Sequence, residues 1–166
     1  MTMTDELLDY IASHIDAEPP HLQQLYHDTG TQLLYSHMCS GHLQGRLLKM
    51  LVRMMRPRRV LELGTYSGYA AQCLAEGLAD DDCMVDTIEA NDEMEQFIVD
   101  HLAQSPVRQR INLHIADALQ WMRHYDGPPY DLVFIDADKR QYVDYYELSL
   151  AQIGRASCRE RVLGCV

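Results

Sequence analysis

The chain has 166 residues, a formal net charge of −11, and 47% hydrophobic and 23% charged residues. This size and balance are typical of one globular domain with a hydrophobic core, and no apolar run approaches the ~18 residues of a membrane-spanning helix. The acidic charge argues against a nucleic-acid partner, because phosphate binding needs a surplus of lysine and arginine.

Three helices are predicted ahead of Pro57. Thr4 is placed to cap the first, and the prolines at 19 and 20 end it. The second covers the apolar positions within residues 22–26. The third carries an apolar stripe formed by Leu43, Leu47, Leu48, Leu51, Met54 and Met55.

After Pro57, short apolar runs alternate with helical segments. The predicted strands are residues 60–63, 84–88, 111–115 and 132–135. A final helix ending at Gln152 has apolar side chains at helical spacing: Tyr142, Val143, Tyr146 and Leu150. The alternation predicts an α/β fold, a Rossmann-like, doubly wound and mostly parallel sheet with N-terminal helices. Ligands of such sheets bind at the carboxyl ends of the strands, near the point where the strand order reverses.

The pattern changes after Gln152. Residues 153–166 have no helical or strand periodicity and resemble the in-frame translation of a sequencing-adapter oligonucleotide. We therefore predict that the natural domain occupies residues 1–152, truncated after its fourth strand and the helix that follows, and that residues 153–166 are a non-native tail. A genuine polar C-terminal tail is the alternative.

A glycine turn follows the first predicted strand and runs from Glu62 through Gly64 to Gly68. Its two glycines let a ligand approach the backbone closely, although a tight turn without a ligand explains them equally well. Glu89 ends the second strand, at a distance from the turn from which an acid can bind both ribose hydroxyls. The alternative for this acid is a helix cap ahead of Asn91. Together, the turn and the acid favour an adenosine-containing ligand.

The third and fourth strands also end in acids. Asp117, followed by Ala118, can accept a hydrogen bond from an adenine amino group or cap the next helix. Asp136, Asp138 and Lys139 follow the fourth strand, where charged groups at the end of a buried strand are costly to place without a use. Adjacent carboxylates favour a divalent cation with oxygen ligands. A solvated turn with a surface ion pair is the alternative.

Three segments, in this order and spacing, are similar to motifs of one family. Residues 60–74 resemble the first motif of the class I, S-adenosylmethionine-dependent O-methyltransferases of the catechol and caffeoyl-CoA type, and residues 134–139 resemble their metal and catalytic motif. Residues 38–45 resemble the segment that the family folds over the methionine end of the donor. The similarity covers about residues 36–150, and it identifies residues 1–152 as an incomplete S-adenosylmethionine-binding domain.

The resemblance implies a role for each matched position. It implies a set of residues that hold the donor: Met38, Ser40, Glu62, Gly64, Thr65, Gly68, Glu89, Asp117, Ala118 and Asp138. Glu62, Gly64 and Thr65 would hold its amino-acid end, with Glu89 at the ribose and Asp117 beside the adenine. Ala70 stands where relatives often carry a serine that touches the donor, a departure that costs one hydroxyl.

The resemblance also implies a metal-assisted reaction. Asp136 would bind a divalent cation such as Mg²⁺, which lowers the pKa of a phenol, and Lys139 would take its proton before the phenolate attacks the methyl group in line. Relatives supply two further metal ligands, an Asp-Asn pair on the next strand, and no such pair follows Lys139 here. We therefore expect the full-length natural protein to be active and this 166-residue form to be inactive.

The expected acceptor is a phenol- or catechol-like hydroxyl of a small or CoA-linked molecule. The alternative within the family is a hydroxylated uridine of tRNA, for which the arginine run 53–59 could bind phosphate; cations at a helix C-terminus explain that run more simply. A nicotinamide-dependent oxidoreductase is disfavoured, because Tyr66 replaces the second glycine of G-x-G-x-x-G.

Three further expectations concern the setting of the protein. Five cysteines without C-x-x-C spacing argue against a zinc site or a disulfide framework. The first nine residues do not resemble a secretory signal, so a cytoplasmic location and no membrane association are expected. The resemblance further implies that the protein can pair as a homodimer.

Overall fold

The computed structural model describes residues 4–153 and the backbone of residues 162–164. Its helices are α1 (Asp5–Ala12), α2 (Pro20–Gln32), α3 (Gly41–Met55), α4 (Tyr69–Gly77), α5 (Glu95–Ala103), α6 (Ala118–His124) and α7 (Tyr142–Gln152). Its strands are β1 (Arg59–Leu63), β2 (Met84–Glu89), β3 (Ile111–Ile115), β4 (Leu132–Ile135) and β5 (Val162–Gly164). None of the described helices is long and apolar enough to cross a membrane.

The strands form one parallel sheet in the order β3-β2-β1-β4-β5. From the central β1, the chain first builds outward through β2 and β3, and then returns to add β4 on the other side. The order therefore reverses between β1 and β4, which is where ligands of doubly wound sheets bind. The predicted α/β class, parallel sheet and N-terminal helices are confirmed.

The end of the fold differs from the prediction. Ile153 was expected to lie outside the domain, but its side chain is only 3% exposed and its backbone bridges to Tyr130. The backbone of residues 162–164 pairs with β4 and adds a three-residue strand beside the four predicted ones. A strand edge offers unpaired N–H and C=O groups to any neighbouring backbone, whatever its side-chain pattern. The rest of the predicted tail lies outside the described residues, and its non-native origin stays a prediction.

Hydrophobic clusters cover both faces of the sheet. Alternate residues of β1 and β4 point to opposite faces, so Val60 and Phe134 pack under α3, α4 and α5, whereas Leu61 and Val133 pack under α6 and α7. Strands buried on both faces read as short apolar runs, as β1 and β4 do, whereas the edge strand β3 was visible through its alternation of apolar and polar residues. This frame fixes the strand ends that form the pocket.

Two helices leave much of their apolar stripe exposed. In α3, Leu47 is 48% exposed and Met54 is 72% exposed, while the buried positions include Gly45, Leu48 and Val52. A Cβ at Gly45 would lie 2.6 Å from the Cys73 sulfur, so the absence of a side chain lets α3 and α4 pack closely at this point.

In α7, Val143, Tyr146 and Leu150 are exposed, and the buried residues are Tyr145 and Ser149. Tyr145 joins the cluster beneath α6 and α7. The apolar spacing identified both helices correctly but not the side that faces the sheet.

Candidate active site

The strand ends open into one pocket of about 800 Å³ on the carboxyl side of the sheet. This volume is within the usual range for small-molecule sites. Ten of the predicted site residues line it: Met38, Ser40, Gly64, Thr65, Glu89, Asp117, Ala118, Asp136, Asp138 and Lys139. Glu62 and Gly68 were also predicted to contact the ligand, but neither is among the residues that line the pocket.

The glycine turn after β1 is shaped by backbone crowding. Gly64 has φ 96°, and a Cβ there would lie 2.2 Å from the carbonyl oxygen of Asp136. The glycine therefore allows the end of β1 to approach the loop after β4, an approach within the protein rather than to a ligand. Tyr66 also has a positive φ, of 50°, which is costly for a residue with a side chain. Such a conformation persists only where the surrounding contacts hold it.

Glu89 supplies one of those contacts. One of its carboxylate oxygens accepts a hydrogen bond from the backbone N–H of Tyr66 at 2.8 Å, and the other accepts from the N–H of Asn91 at 2.9 Å. Each carboxylate oxygen can accept a second hydrogen bond. Glu89 therefore caps the local backbone, as the simpler interpretation predicts, and still offers two oxygens in the pocket to a pair of neighbouring hydroxyls.

Three polar side chains form a connected group that leads inward from the pocket wall. The hydroxyls of Thr65 and Thr87 lie 2.6 Å apart, and Thr87 donates to a carboxylate oxygen of Glu62 at 2.5 Å. Glu62 is fully buried, and burial raises the pKa of its carboxyl to about 8 despite the hydrogen bond from Thr87. Glu62 thus reaches the pocket only through the hydroxyls of the two threonines.

Asp117 has the structural role considered in the sequence and also lies in the pocket. Its side chain accepts from the backbone N–H of Gln120 at 2.8 Å and caps α6. The adjoining Ala118 is buried and has only a methyl side chain at the wall. The end of β3 therefore provides a small apolar surface beside an acceptor, which suits the edge of an aromatic base.

The loop after β4 is more polar and more exposed. Burial raises the pKa of the Asp136 carboxyl, and the nearby positive charge of Lys139 opposes that effect. Asp138 accepts hydrogen bonds from the backbone and guanidinium of Arg140, and these bonds lower the pKa of its carboxyl. Lys139 is exposed and lines the pocket. Two of the three predicted groups are therefore open to the pocket, while Asp138 is already paired.

The described residues do not complete a divalent-cation site at Asp136. A group of three metal-capable side chains within the described part of the chain is formed by Asp80, Asp82 and Cys83, which precede β2 at the opposite end of the sheet. Mg²⁺ is usually held by one or two carboxylates together with waters and substrate oxygens, whereas Ca²⁺ takes six to eight oxygen ligands. Asp136 would supply one ligand of such a site, and the group of three metal-capable side chains does not include it.

Several pocket residues were missed in the sequence. Tyr145 donates to Gln141 at 2.7 Å, and both line the pocket below the loop after β4. Ser67 donates to the sulfur of Cys39 at 3.5 Å, which joins the glycine turn to the segment before α3. The i, i+4 spacing of Gln141 and Tyr145 after the acidic motif was the available signal; Cys39 had none beyond the resemblance.

Comparison with known proteins decides the family. A sequence profile described as O-methyltransferase matches residues 12–159. The chain belongs to the O-methyltransferase family. Among its relatives, the catechol O-methyltransferase of Mycobacterium tuberculosis (strain ATCC 25618 / H37Rv) is 34% identical over 107 residues, which cover 64% of this chain and 48% of the relative. The caffeoyl-CoA O-methyltransferase of Stellaria longipes is 26% identical over 164 residues, covering 93% and 67%.

Solved structures of O-methyltransferases share the fold. The O-methyltransferase TomG from Streptomyces achromogenes, solved in complex with S-adenosylmethionine, superimposes with a TM-score of 0.83 at 27% identity, covering 92% of this chain and 71% of that one. The resemblance predicted from the sequence is therefore confirmed. The chain spans about half to two thirds of the length of the curated O-methyltransferases that it matches.

The arginine run lies away from the pocket. Arg59 begins β1, and its guanidinium donates to Asp86 at 2.8 Å; Arg58 pairs with Asp82. Both arginines are at the amino end of the strand, whereas the pocket is at the carboxyl end. A substrate in the pocket would not contact these two side chains.

Proposed function

We propose that the protein transfers a methyl group from S-adenosylmethionine to a hydroxyl of a small phenol- or catechol-like acceptor, free or linked to CoA. The observation that carries this proposal is the position of Glu89 in the pocket wall, beside the glycine turn and with two oxygens available. The names of the relatives support the acceptor class, because one is a catechol and one a caffeoyl-CoA O-methyltransferase.

The donor would lie along the carboxyl ends of three strands. Glu89 would accept hydrogen bonds from both ribose hydroxyls, and Asp117 would accept from the adenine amino group above Ala118. Thr65 and the backbone at Gly64 would meet the amino-acid end. The segment before α3 would cover this end with the side chains of Met38 and Ser40, both of which line the pocket.

The reaction needs a deprotonated acceptor. A phenol has a pKa of about 10 and is a weak nucleophile at neutral pH. Lys139 would act as the base that takes the phenol proton, and the phenolate oxygen would then form a bond to the methyl carbon as the carbon–sulfur bond breaks. The products are an aryl methyl ether and a neutral thioether. Asp136, next to Lys139, would hold the resulting ammonium.

A divalent cation is part of the family-based expectation. When bound, such an ion lowers the pKa of a phenolic hydroxyl. Asp136 would be one of its ligands, but the described residues do not complete its site, and no step above depends on it. Homodimerisation and a cytoplasmic location also stay predictions.

Calorimetric titration with S-adenosylhomocysteine tests the donor site, and NADH serves as the control ligand. We expect one site for S-adenosylhomocysteine and no saturable binding of NADH. Binding of NADH alone would contradict the proposal in favour of an oxidoreductase.

Lys139→Met tests the chemical step. The variant should retain binding of S-adenosylhomocysteine, because Lys139 is not among the residues proposed to hold the donor. It should abolish any methylation of catechols detected with the unsubstituted protein. Equal turnover by both proteins would contradict the role of Lys139 as the base.

A further inference from the structure

A chain of hydrogen bonds connects the interior of the sheet to the pocket. It begins at the fully buried Glu62 in β1, passes through Thr87 in β2, and ends at Thr65, which lines the pocket. The two links measure 2.5 Å from Thr87 to Glu62 and 2.6 Å between the two threonines. Glu62 and Thr87 are paired in the β1–β2 register, so the sheet itself fixes the first link.

The hydrogen count gives this chain a direction. A threonine hydroxyl has one hydrogen. The oxygen of Glu62 that Thr87 contacts accepts, so the proton that the raised pKa keeps on this carboxyl at neutral pH lies on the other oxygen. Since Thr87 gives its hydrogen to Glu62, it can only accept from Thr65. Thr65 then has no hydrogen left for the pocket, and its remaining lone pair can only accept. The ammonium of a bound amino acid is a donor of the matching kind.

Burial makes this arrangement rigid. Thr65 is 3% exposed and Thr87 is 0% exposed, so water has little access to either hydroxyl and does not compete for these hydrogen bonds. The second oxygen of Glu62 is buried and has no hydrogen-bond partner among the described residues. An unpaired buried oxygen is costly, and such groups are uncommon unless they have a use.

We propose that Thr87, anchored on Glu62, is a positioning residue that holds the Thr65 hydroxyl as a hydrogen-bond acceptor for the amino-acid end of the donor. This inference rests on the proposed function. It assigns Thr87 a role although it does not line the pocket, and it gives Glu62 an indirect role in place of the direct contact expected from the sequence.

The surroundings of Glu62 are consistent with this role. The carboxyls of Asp136 and Glu89, at the ends of β4 and β2, both disfavour a negative charge on Glu62, and the thiol of Cys73 faces it from α4. Bringing a positive ligand group to Thr65 would offset these effects, because it lies at the other end of the same hydrogen-bond chain.

Thr87→Val is the decisive variant, because it removes the hydroxyl and keeps the shape. Affinity is measured by calorimetry for two ligands: S-adenosylhomocysteine, and 5′-methylthioadenosine, which lacks the amino-acid end. We expect Thr87→Val to weaken S-adenosylhomocysteine about three- to tenfold and to leave 5′-methylthioadenosine within about twofold. Thr87→Ser, which restores a hydroxyl, should recover the affinity of the unsubstituted protein.

A double-mutant cycle tests whether Thr87 acts through Thr65. If it does, Thr65→Val should weaken S-adenosylhomocysteine by a similar factor, and the double variant should be no weaker than Thr65→Val alone. Circular dichroism checks that each variant folds. Should Thr87→Val not fold, Thr87→Ala removes the hydroxyl without crowding and enters the same cycle.

The outcomes separate this inference from the proposed function. If the unsubstituted protein binds neither ligand, the proposed function fails and the inference falls with it. If it binds both, but Thr87→Val weakens them equally, leaves both unchanged, or adds its full effect to Thr65→Val, the positioning role is overturned and the donor site stands.

Discussion

The two sides of the pocket are built differently. On the β1–β2 side, the polar groups are buried or capped, and each is held by the backbone or by a neighbouring side chain: Glu89 by two N–H groups, Thr65 by Thr87. On the β4 side, Lys139 is exposed and Asp138 is paired with Arg140. The polar groups on the β1–β2 side are therefore already held in place for a ligand. Those on the β4 side are not held in the same way.

This difference has separate consequences for ligand binding and for catalysis. A site binds well when its polar groups are held in place before the ligand arrives, because little ordering remains to be done. The β1–β2 side meets that condition, and the loop after β4 does not. We therefore expect this chain to bind donor analogues more readily than it turns over substrate, and four measurements would break or sharpen that contrast.

Gly64→Ala should have the largest effect, because it damages both sides together. The added Cβ would lie 2.2 Å from the carbonyl oxygen of Asp136, at a φ of 96° that alanine rarely adopts. We expect a loss of about 3 kcal/mol or more in the free energy of unfolding, measured by urea denaturation.

Gly30→Ala is the matched control. Gly30 lies within α2, and a Cβ there would meet nothing within 4 Å. Alanine is the better helix former, so this variant should be stabilised by up to about 1 kcal/mol. Equal stability of the two variants would show that the contact between the glycine turn and the β4 loop does not constrain the fold.

Glu89→Gln should have the next largest effect, mainly on binding, with a smaller effect on the backbone that Glu89 caps. The amide keeps the shape but loses the charge and one acceptor, so affinity for S-adenosylhomocysteine should fall about tenfold or more by calorimetry. Asp92→Asn, which neutralises an exposed acid nearby, is the control and should change affinity by less than about twofold. Similar losses in both variants would point to a general charge effect and not to ribose recognition.

Glu62→Gln should change how stability depends on pH. Burial raises the pKa of the folded-state carboxyl from 4.5 to about 8, so the folded protein binds a proton there that the unfolded chain releases. Stability contributed by this group is therefore lost as pH rises from about 4.5 to about 8, at a slope of about 1 kcal/mol per pH unit. Urea denaturation at pH 5, 6.5 and 8 should show a steeper decline for the unsubstituted protein than for Glu62→Gln. Parallel pH profiles would contradict the raised pKa.

Asp136→Asn should have the smallest effect, on metal binding. Because the group of three metal-capable side chains found in the described part of the chain does not include Asp136, we expect no saturable Mg²⁺ binding below about millimolar concentrations in either protein. Calorimetric titration with Mg²⁺ measures this directly. Tight Mg²⁺ binding by the unsubstituted protein that disappears in Asp136→Asn would show that the β4 side forms a complete metal site.

The strand ends were the most predictable part of the molecule. Buried parallel strands are short apolar runs, and an acidic residue lies at or within two residues of the carboxyl end of β2, β3 and β4. Glu89, Asp117 and Asp136 could therefore be placed together without knowledge of the helices. The resemblance added Met38 and Ser40, which no pattern of spacing would have identified.

The orientation of individual side chains was not predictable in the same way. Glu62 begins the glycine motif in sequence, but the alternation of β1 turns it toward the helices and away from the pocket. In α3, close packing at Gly45 decides which side is buried and leaves Leu47 exposed. In α7, the buried side is the one that carries Tyr145, and Val143 is exposed. The position of Thr87, the middle residue of the hydrogen-bond chain, depends on the register between β1 and β2, which a single sequence does not reveal.

The crowding at Gly64 has a consequence for motion. Because the end of β1 and the loop after β4 touch backbone to backbone, neither can open without displacing the other. The two loops should therefore belong to one cooperative unit of local unfolding, with amide hydrogens of residues 64–66 and 136–138 exchanging at similar rates. A protein built this way would release its donor and rearrange its reactive loop in a single event.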